Sequence, residues 1–416
     1  MKKWSFLLSL LLCLTLVTGC QASADSLLDQ LEQMFGIQEV QSEPTADPTD
    51  TVTISRQEYE ELSRFKKVSD MMATVSALYY QEVDEEALMD GVAQGLMLAL
   101  EDPYSFYYTP EEYAEMWADN EGNYAGIGIQ ISASYLTQLC TVSRVFANTP
   151  AQAAGIHKGD ILIQVEDLTV TAYTLQDAVD IMRGEVGTTV SVTVIRGEEE
   201  LTFEIPRAQV QVNRVESTLL EEGLGYICLY EFAGDCRVKF AEAVHNLVNQ
   251  GAQRLIIDLR DNPGGWVEDA EAIADMFLDE GVLYYLQYRN EEDREYAYTQ
   301  DGKVDVKLVL LLNEYSASAS EILAGALQDH GAAQIVGVQS YGKGVVQYVL
   351  PVGSDGSGMQ LTAAQYFTPN GNAVHKVGIT PDVEVPLPEG SNGMFEFADV
   401  VNDVQLQKAV EIIKGM

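Results

Sequence analysis

The chain has 416 residues, of which 47% are hydrophobic, and its formal net charge at pH 7 is −40. This length and composition allow two or three domains, each with its own buried core. The negative charge repels phosphate backbones, which excludes nucleic acid as an expected partner.

The N-terminus is typical of an export signal over residues 1–19. Lys2 and Lys3 precede an apolar stretch, 6–17, that is too short to span a bilayer. The stretch ends in Val17-Thr18-Gly19-Cys20, which resembles the lipobox of bacterial lipoproteins. The resemblance implies lipidation of Cys20 and an extracytoplasmic protein anchored by lipid to the bacterial cell membrane. The alternative is an ordinary signal peptide in which Cys20 is incidental.

Two segments of different character follow the signal. Residues 20–54 are acidic and contain Pro44 and Pro48, which is typical of a linker. Apolar residues at spacings of three and four then predict a helical N-terminal region over 55–119.

Residues 120–207 predict a separate α+β module. It opens with Gly126-Ile127-Gly128-Ile129 and continues with Ala154-Gly155-Ile156 and Lys158-Gly159-Asp160-Ile161. Together these segments resemble a PDZ domain, although the glycine pair alone is equally typical of a β-bulge. Glycines leave backbone amides free to bind a terminal carboxylate, and the adjoining strand edge can pair with a peptide. The module therefore predicts binding of proteins or peptides that have a free C-terminus and an apolar last residue.

Strands alternate with helices over 208–388, which predicts an α/β core with parallel pairing. A charged, hairpin-like insertion over 288–303 interrupts the alternation. The C-terminal segment, 389–416, contains an amphipathic helix over 402–414.

Ser318 is the candidate nucleophile. It lies between a predicted strand, 307–312, and a predicted helix, 319–329. A serine at such a turn is exposed, and the helix N-terminus offers amides and a positive dipole end to developing negative charge. The alternative is structural, because Ser318 and Glu321 have the spacing of a capping box.

Lys343 is the candidate base, in Gly342-Lys343-Gly344. A lysine acts as a base only where desolvation lowers its pKa from about 10.4, and the neighbouring valines are compatible with that. Gln347 is placed to position the amine without adding charge. The alternative is a surface lysine in a glycine loop.

A histidine base for Ser318 is a second alternative, and no metal site is indicated. A Ser-His-Asp triad stays open, because triads are recognised by geometry. The histidines are His157, His245, His330 and His375. The cysteines beyond the lipobox show no CxxC or Cys/His spacing, so no metal or other cofactor is predicted. They are Cys140, Cys228 and Cys236, of which the last two could pair but need not.

Several long motifs in one order resemble the carboxy-terminal processing peptidases, tail-specific proteases with a Ser-Lys dyad and an inserted PDZ domain. The resemblance runs from about Leu98 to Val385. Its motifs are LEDPYSFYYTPEEY, the PDZ segment, DLRDNPGG, SASASEILAGALQDHG, YGKGVVQ and YFTPNG with GITPD. Asp261, where asparagine is commoner, and Tyr315 depart from the family pattern.

The resemblance implies a role for each site residue. Ser318 corresponds to the nucleophile, Lys343 to the base and Gln347 to the residue that orients the lysine. Gly264 or Gly265, with Ala319, corresponds to the oxyanion hole. Arg183 resembles a substrate-sensing residue of the PDZ domain.

The resemblance also implies an α/β fold with a crotonase-like spiral core, and it allows a homodimer through the N-terminal helices. The predicted function is a serine endopeptidase that captures substrate C-termini and cleaves exported proteins. The alternative is a catalytically silent PDZ-bearing binding protein.

Overall fold

A computed structural model describes residues 52–134, 137–290, 292–388, 391, 393 and 395–416. The predicted signal, Cys20 and nearly all of the predicted linker lie outside the described residues. The chain forms two compact units, which divide after Val83. In the described ranges, no helix has the length and apolar character needed to cross a membrane.

The described part of the first unit consists of two helices, α1 (Arg56–Ser63) and α2 (Lys66–Leu78). Helix α1 begins with a capping box, in which Ser55 Oγ accepts from the N–H of Glu58 and the Glu58 carboxylate accepts from the N–H of Ser55. Neither helix buries a residue, and Leu62 and Phe65 are exposed.

The second unit begins with α3 (Glu85–Leu98), β1 (Phe106–Tyr108) and α4 (Pro110–Glu121). Thr109 caps α4 by a reciprocal pair of hydrogen bonds with Glu112. The predicted helical region therefore also contains a strand, because β1 pairs with a distant segment near the C-terminus.

The PDZ-like module is an antiparallel sheet whose apolar face packs against two helices. The residues on that face form one core that includes Val142, Leu162 and Val192. The sheet order is β3-β4-β5-β7-β8, with β6 beside β5. The strands are β3 (Ile129–Ala133), β4 (Cys140–Val145), β5 (Ile161–Val165), β6 (Leu168–Thr169), β7 (Thr189–Arg196) and β8 (Glu199–Pro206). The helices are α5 (Pro150–Ala154) and α6 (Leu175–Met182).

A separate two-stranded ladder closes the base of this module. Strand β2 (Asn123–Gly126) pairs antiparallel with β9 (Ala208–Gln211). The chain therefore enters and leaves the module side by side, as an inserted domain requires.

The peptidase-like core contains a six-stranded sheet of order β10-β11-β12-β15-β16-β19. All neighbours pair in parallel except β10, which is antiparallel at one edge. The strands are β10 (Val215–Glu221), β11 (Leu224–Leu229), β12 (Arg254–Asp258), β15 (Lys307–Leu312), β16 (Ala333–Gly337) and β19 (Val383–Glu384). The central strands are apolar at nearly every position, because both faces of the sheet are covered.

Alternate residues of the central strands face different helix layers. Ile257 and Leu310 belong to a core shared with α7 (Cys236–Asn249), α8 (Val267–Asp275) and α9 (Ala319–Asp329). Ile256 and Val309 belong to a second core, shared with α10 (Val404–Gly415). The period of two along each strand thus places one helix layer on each face.

Beside the sheet with the predicted parallel pairing, the core has a second, antiparallel sheet. Its order is β1-β18-β13-β14, with β17 also paired to β18. Its further strands are β13 (Gly281–Gln287), β14 (Arg294–Thr299), β17 (Val345–Pro351) and β18 (Gly358–Phe367). The segment expected to be an insertion contains β14, which forms a hairpin with β13. The prediction missed this sheet because its strands are joined by β18, which is remote in sequence from β1 and β13.

Candidate active site

Ser318 lies in the turn between β15 and α9. Its backbone has φ 56° and ψ −116°, a conformation that side-chain-bearing residues rarely adopt. Two hydrogen bonds to the segment after β12 stabilise the turn. Ser316 Oγ donates to the carbonyl of Leu259, and the N–H of Ala317 donates to the carbonyl of Asn262. Strain that the surroundings maintain in this way is typical of functional residues.

A single buried carboxylate connects Ser318 to the lysine loop. Glu321 accepts from the N–H of Ser318 at 2.8 Å, as the predicted capping box requires. It also accepts from the N–H groups of Gly342 and Lys343 at 2.7 and 2.9 Å, and from Ser340 Oγ at 2.5 Å. Burial raises the pKa of Glu321 above its ordinary value, although these hydrogen bonds oppose the rise. Glu321 therefore fixes the candidate nucleophile and the candidate base relative to one another.

Lys343 is half-buried, and its Nζ lies 4.9 Å from the centroid of the Tyr104 ring. Burial lowers the pKa of Lys343 from its ordinary value, against the opposing effect of the Asp102 and Glu321 carboxylates. The direction of this shift is the one that a lysine base needs.

Gln347 lies on β17 next to a bulge in its pairing with β18. Its Nε2 donates to Thr362 Oγ1 at 3.2 Å. The structure thus places Gln347 on the strand that follows the lysine loop, with its amide held across the ladder.

The glycine pair lies directly against the candidate nucleophile. A Cβ on Gly264 would lie 2.7 Å from Ser318 Cβ and 2.9 Å from the Ala319 nitrogen. The N–H of Gly264 already donates to Asn262 Oδ1 at 2.9 Å. Within the described ranges, the N–H groups of Gly265 and Ala319 meet no acceptor. The arrangement therefore favours Gly265 over Gly264 as the donor that accompanies Ala319.

The PDZ-like module has a groove between β3 and α6, where peptide-binding residues were predicted. The groove encloses a cavity of about 320 Å³, and core residues Tyr230 and Glu231 line it as well. Its lining includes Gly126, Ile127, Gly128, Ile129 and Arg183. The Arg183 guanidinium lies 5.4 Å from the centroid of the Tyr124 ring.

The histidines occupy different surroundings. His330 lies at the end of α9 opposite to Ser318, where its Nε2 contacts the carbonyl of Val282. His245 lies within α7, and the backbone of His375 lies against Gly344. Burial lowers the pKa of His375, and its Nδ1 is buried without a hydrogen-bond partner among the described residues.

The three described cysteines are buried free thiols. Cys236 Sγ donates to Asp269 Oδ2 at 3.3 Å, so it is not bonded to Cys228. Over the described part of the chain, no group of His, Cys, Asp and Glu residues is arranged to hold a metal ion.

Three protein-family models match the chain. They are the activating protease CtpB N-terminal domain over residues 30–112, the PDZ domain over 125–206, and peptidase family S41 over 223–385.

The chain is similar along most of its length to curated proteases. It is 34% identical over 394 residues to the carboxy-terminal-processing protease of Bartonella bacilliformis, covering 86% of this chain and 89% of that one. It is 32% identical over 362 residues to the carboxy-terminal processing protease CtpB of Bacillus subtilis, covering 84% and 75%. Among solved structures, a photosystem II D1 C-terminal processing protease matches with a TM-score of 0.56 and 26% identity, covering 86% of this chain and 98% of that one.

Proposed function

The chain belongs to the carboxy-terminal processing proteases, serine-type peptidases of family S41 with a PDZ domain, and from that premise we propose that it works through a Ser-Lys dyad. Ser318 is the nucleophile and Lys343 is the general base. The observation that carries this proposal is the Glu321 carboxylate, which accepts from the N–H groups of both residues.

The reaction begins when the neutral amine of Lys343 takes the proton of Ser318 Oγ, which attacks the scissile carbonyl carbon. The N–H groups of Gly265 and Ala319 donate to the oxyanion, aided by the N-terminal dipole end of α9. Lys343 returns the proton to the leaving amine. In the second half of the reaction Lys343 takes a proton from a water molecule, whose oxygen attacks the acyl carbon. Lys343 then gives the proton to Ser318 Oγ as the bond between that oxygen and the acyl carbon breaks. Gln347 orients the lysine from the adjoining strand.

The substrates are proteins with a free C-terminus. The PDZ groove binds the terminal carboxylate through the backbone amides around Gly126 and Gly128, and the last apolar side chain enters the groove. Arg183, beside the same cavity, senses the bound tail. Because Tyr230 and Glu231 of the core also line that cavity, a bound tail touches both parts of the protease.

We also propose where the protease is located and how it assembles, from the sequence of its N-terminal regions. Lipidation of Cys20 anchors the protease outside the cytoplasm, so its substrates are exported proteins. The exposed apolar residues of α1 and α2 form a homodimer contact. Replacing Cys20 with serine should release the protease from the membrane fraction, and retention there would contradict the anchor.

The dyad is tested by Lys343→Ala and Ser318→Ala. Both variants should lose cleavage of a quenched peptide and labelling by a fluorophosphonate, while tail-peptide binding to the PDZ groove persists. In the unaltered protease, cleavage should increase with pH as Lys343 loses its proton, with a midpoint below the ordinary lysine pKa.

Two outcomes would favour the alternatives. Wild-type turnover in Lys343→Ala, together with loss of turnover when all four histidines are replaced, would indicate a histidine base. Tail binding by the unaltered chain without cleavage or labelling would indicate a catalytically silent binding protein.

A further inference from the structure

The segment Asp102-Pro103-Tyr104-Ser105 belongs to a sequence motif to which the reaction above gives no role. It precedes the PDZ domain in sequence, yet it lies beside the lysine loop in the fold. The reason is the pairing of β1 with β18, in which Phe106 is opposite Gln360. Strand β18 also pairs with β17, which begins at Val345, just after Lys343 and Gly344.

Tyr104 covers the lysine with the face of its ring. Lys343 Nζ lies 4.9 Å from the ring centroid, within the range of a cation–π interaction. The ring is held in place because Gln360 Nε2 donates to the Tyr104 carbonyl at 3.0 Å. Burial and a hydrogen bond with Tyr341 raise the pKa of Tyr104 to about 12, so its hydroxyl remains neutral while lysine titrates.

Asp102 is fixed by a chain of hydrogen bonds that ends at Gln347. Its carboxylate accepts from Ser105 Oγ at 2.5 Å and from the N–H of Tyr104 at 3.2 Å. Ser105 Oγ accepts in turn from the N–H of Thr362 at 3.1 Å. The hydroxyl of Thr362 accepts from Gln347 Nε2. The segment therefore contacts Lys343 through Tyr104, and it is linked to Gln347 through Ser105 and Thr362.

The charges around the lysine show what Asp102 does there. Two carboxylates act on Lys343, Asp102 from the N-terminal side and Glu321 from α9, and both favour its protonated form. Burial opposes ionisation of Asp102, but its hydrogen bonds outweigh that effect, and its pKa lies below the ordinary value. His375 is the basic group whose charge helps to lower the pKa of Asp102. The charge of Lys376 in turn lowers the pKa of His375. Glu321 accepts four hydrogen bonds from the turn at Ser318 and from the lysine loop, whereas Asp102 accepts from its own segment.

We propose that Asp102 and Tyr104 are positioning residues for the base. The Tyr104 ring covers the Lys343 amine, and the Asp102 carboxylate holds the Tyr104 backbone and acts on the amine through its charge. They thereby set the pH above which the protease becomes active. This inference rests on the proposed role of Lys343 as the base.

The test compares Asp102→Asn and Tyr104→Leu with matched controls in the full chain. Asp90→Asn is the control for the first, because Asp90 accepts from the Tyr107 hydroxyl in the same region at 2.7 Å. Tyr104→Phe is the control for the second, because it keeps the ring and removes only the hydroxyl. The rate of fluorophosphonate labelling and kcat/KM for a quenched peptide are measured as functions of pH.

Asp102→Asn and Tyr104→Leu should each move the acid limb of both profiles to lower pH, because each removes a group that stabilises the ammonium. Their plateau rates should fall, since a weaker base is also less well positioned. Both controls should keep the limb at the wild-type pH. A purely structural role would lower the rates without moving the limb.

An acid limb that stays at the wild-type pH in both test variants, at an unchanged melting temperature, would overturn the inference and leave the dyad intact. If Asp102→Asn does not fold, the comparison of Tyr104→Leu with Tyr104→Phe decides, again by the pH of the acid limb. Full activity of Lys343→Ala would instead overturn the proposed function.

Discussion

Gly264 shows at the scale of one residue how closely the segments of the candidate active site pack. It adopts φ 101°, which disfavours any side chain, and it lies against Ser318 and Ala319. An added methyl group would therefore meet the backbone and not a movable side chain. The sequence indicated this glycine pair as a source of amides, and the structure adds that Gly264 is also needed for space.

Gly264→Ala should lose most of the activity, because a 2.7 Å contact with Ser318 Cβ must displace either the proposed nucleophile or the proposed oxyanion donors. A displacement of about 1 Å can cost roughly 10²-fold in rate. The measurement is kcat/KM for a quenched peptide, with the melting temperature recorded alongside.

Gly251→Ala is the matched control for backbone strain. Gly251 has φ 94°, and a Cβ there would meet nothing within 4 Å. It should lose about 1 kcal/mol of stability and keep its activity. Equal losses of activity in the two variants would show that strain, and not the contact with Ser318, is responsible.

Glu321 marks the limit of what the sequence could predict about the site. Its spacing from Ser318 indicated a helix cap, and that hydrogen bond is present. The other three donors, at residues 340–343, reach the same carboxylate only because the chain returns past β16 to the start of α9. No local pattern specifies such a return.

At the scale of elements, β4 of the PDZ domain is joined to the core through one buried arginine. Arg144 donates to the carbonyl of Asn213 at 2.6 Å and to the Glu216 carboxylate at 2.8 Å. Its guanidinium carbon lies 3.3 Å from the centroid of the Tyr230 ring. The same arginine lines the cavity between β3 and α6, so the attachment of the domain and the proposed peptide groove share a residue.

Arg144→Met should loosen this attachment while keeping much of the apolar packing. Loss of the charge-assisted hydrogen bonds, each worth about 1.5–3 kcal/mol, should increase amide hydrogen exchange over 208–216. Arg294→Met, which removes an exposed arginine that lies 5.0 Å from the Tyr285 ring centroid, serves as the control. Unchanged protection over 208–216 in Arg144→Met would contradict the assigned attachment.

Elements with a strong local pattern were predicted closely, and those that depend on distant partners were not. The predicted strand 307–312 and helix 319–329 coincide with β15 and α9. Strands β8 and β13 were missed. Strand β8 follows β7 after a short turn, and most of its positions are exposed. Strand β13 gains its partner β18 from far along the chain.

At the scale of the whole molecule, Arg260 ties the central sheet to the C-terminal helix. It forms ion pairs with Asp258, at the end of β12, and with Asp403, which caps α10. Burial would raise the pKa of Asp258, but Arg260 and the hydroxyl of Tyr226 outweigh burial and lower it. No local pattern around residue 403 predicts that Asp403 is the second partner of Arg260.

Because the folded pKa of Asp258 is lowered, its contribution to stability is fully present above the ordinary aspartate pKa. That contribution is lost as the pH falls below about 4. Asp258→Asn should therefore lose about 3–5 kcal/mol near neutral pH and show a shallower further loss in acid. Urea unfolding at a series of pH values checks both effects.

Asp279→Asn is the control, because Asp279 pairs with Lys303 at an exposed position. It should change the stability by at most about 1 kcal/mol at neutral pH. An equal loss of stability in Asp258→Asn and Asp279→Asn would mean that the buried ion pair of Arg260 stabilises the fold no more than an exposed one.

The pairing of β1 with β18 also has a consequence for the order in which the site is completed. Phe106 needs Gln360 as its partner, and Tyr104 reaches Lys343 only through that ladder. A chain that emerges from the ribosome N-terminus first must therefore wait for nearly its whole length before the lysine acquires its surroundings. The distance along the sequence between the two strands thus makes the surroundings of Lys343 one of the last parts of the proposed site to be assembled during synthesis.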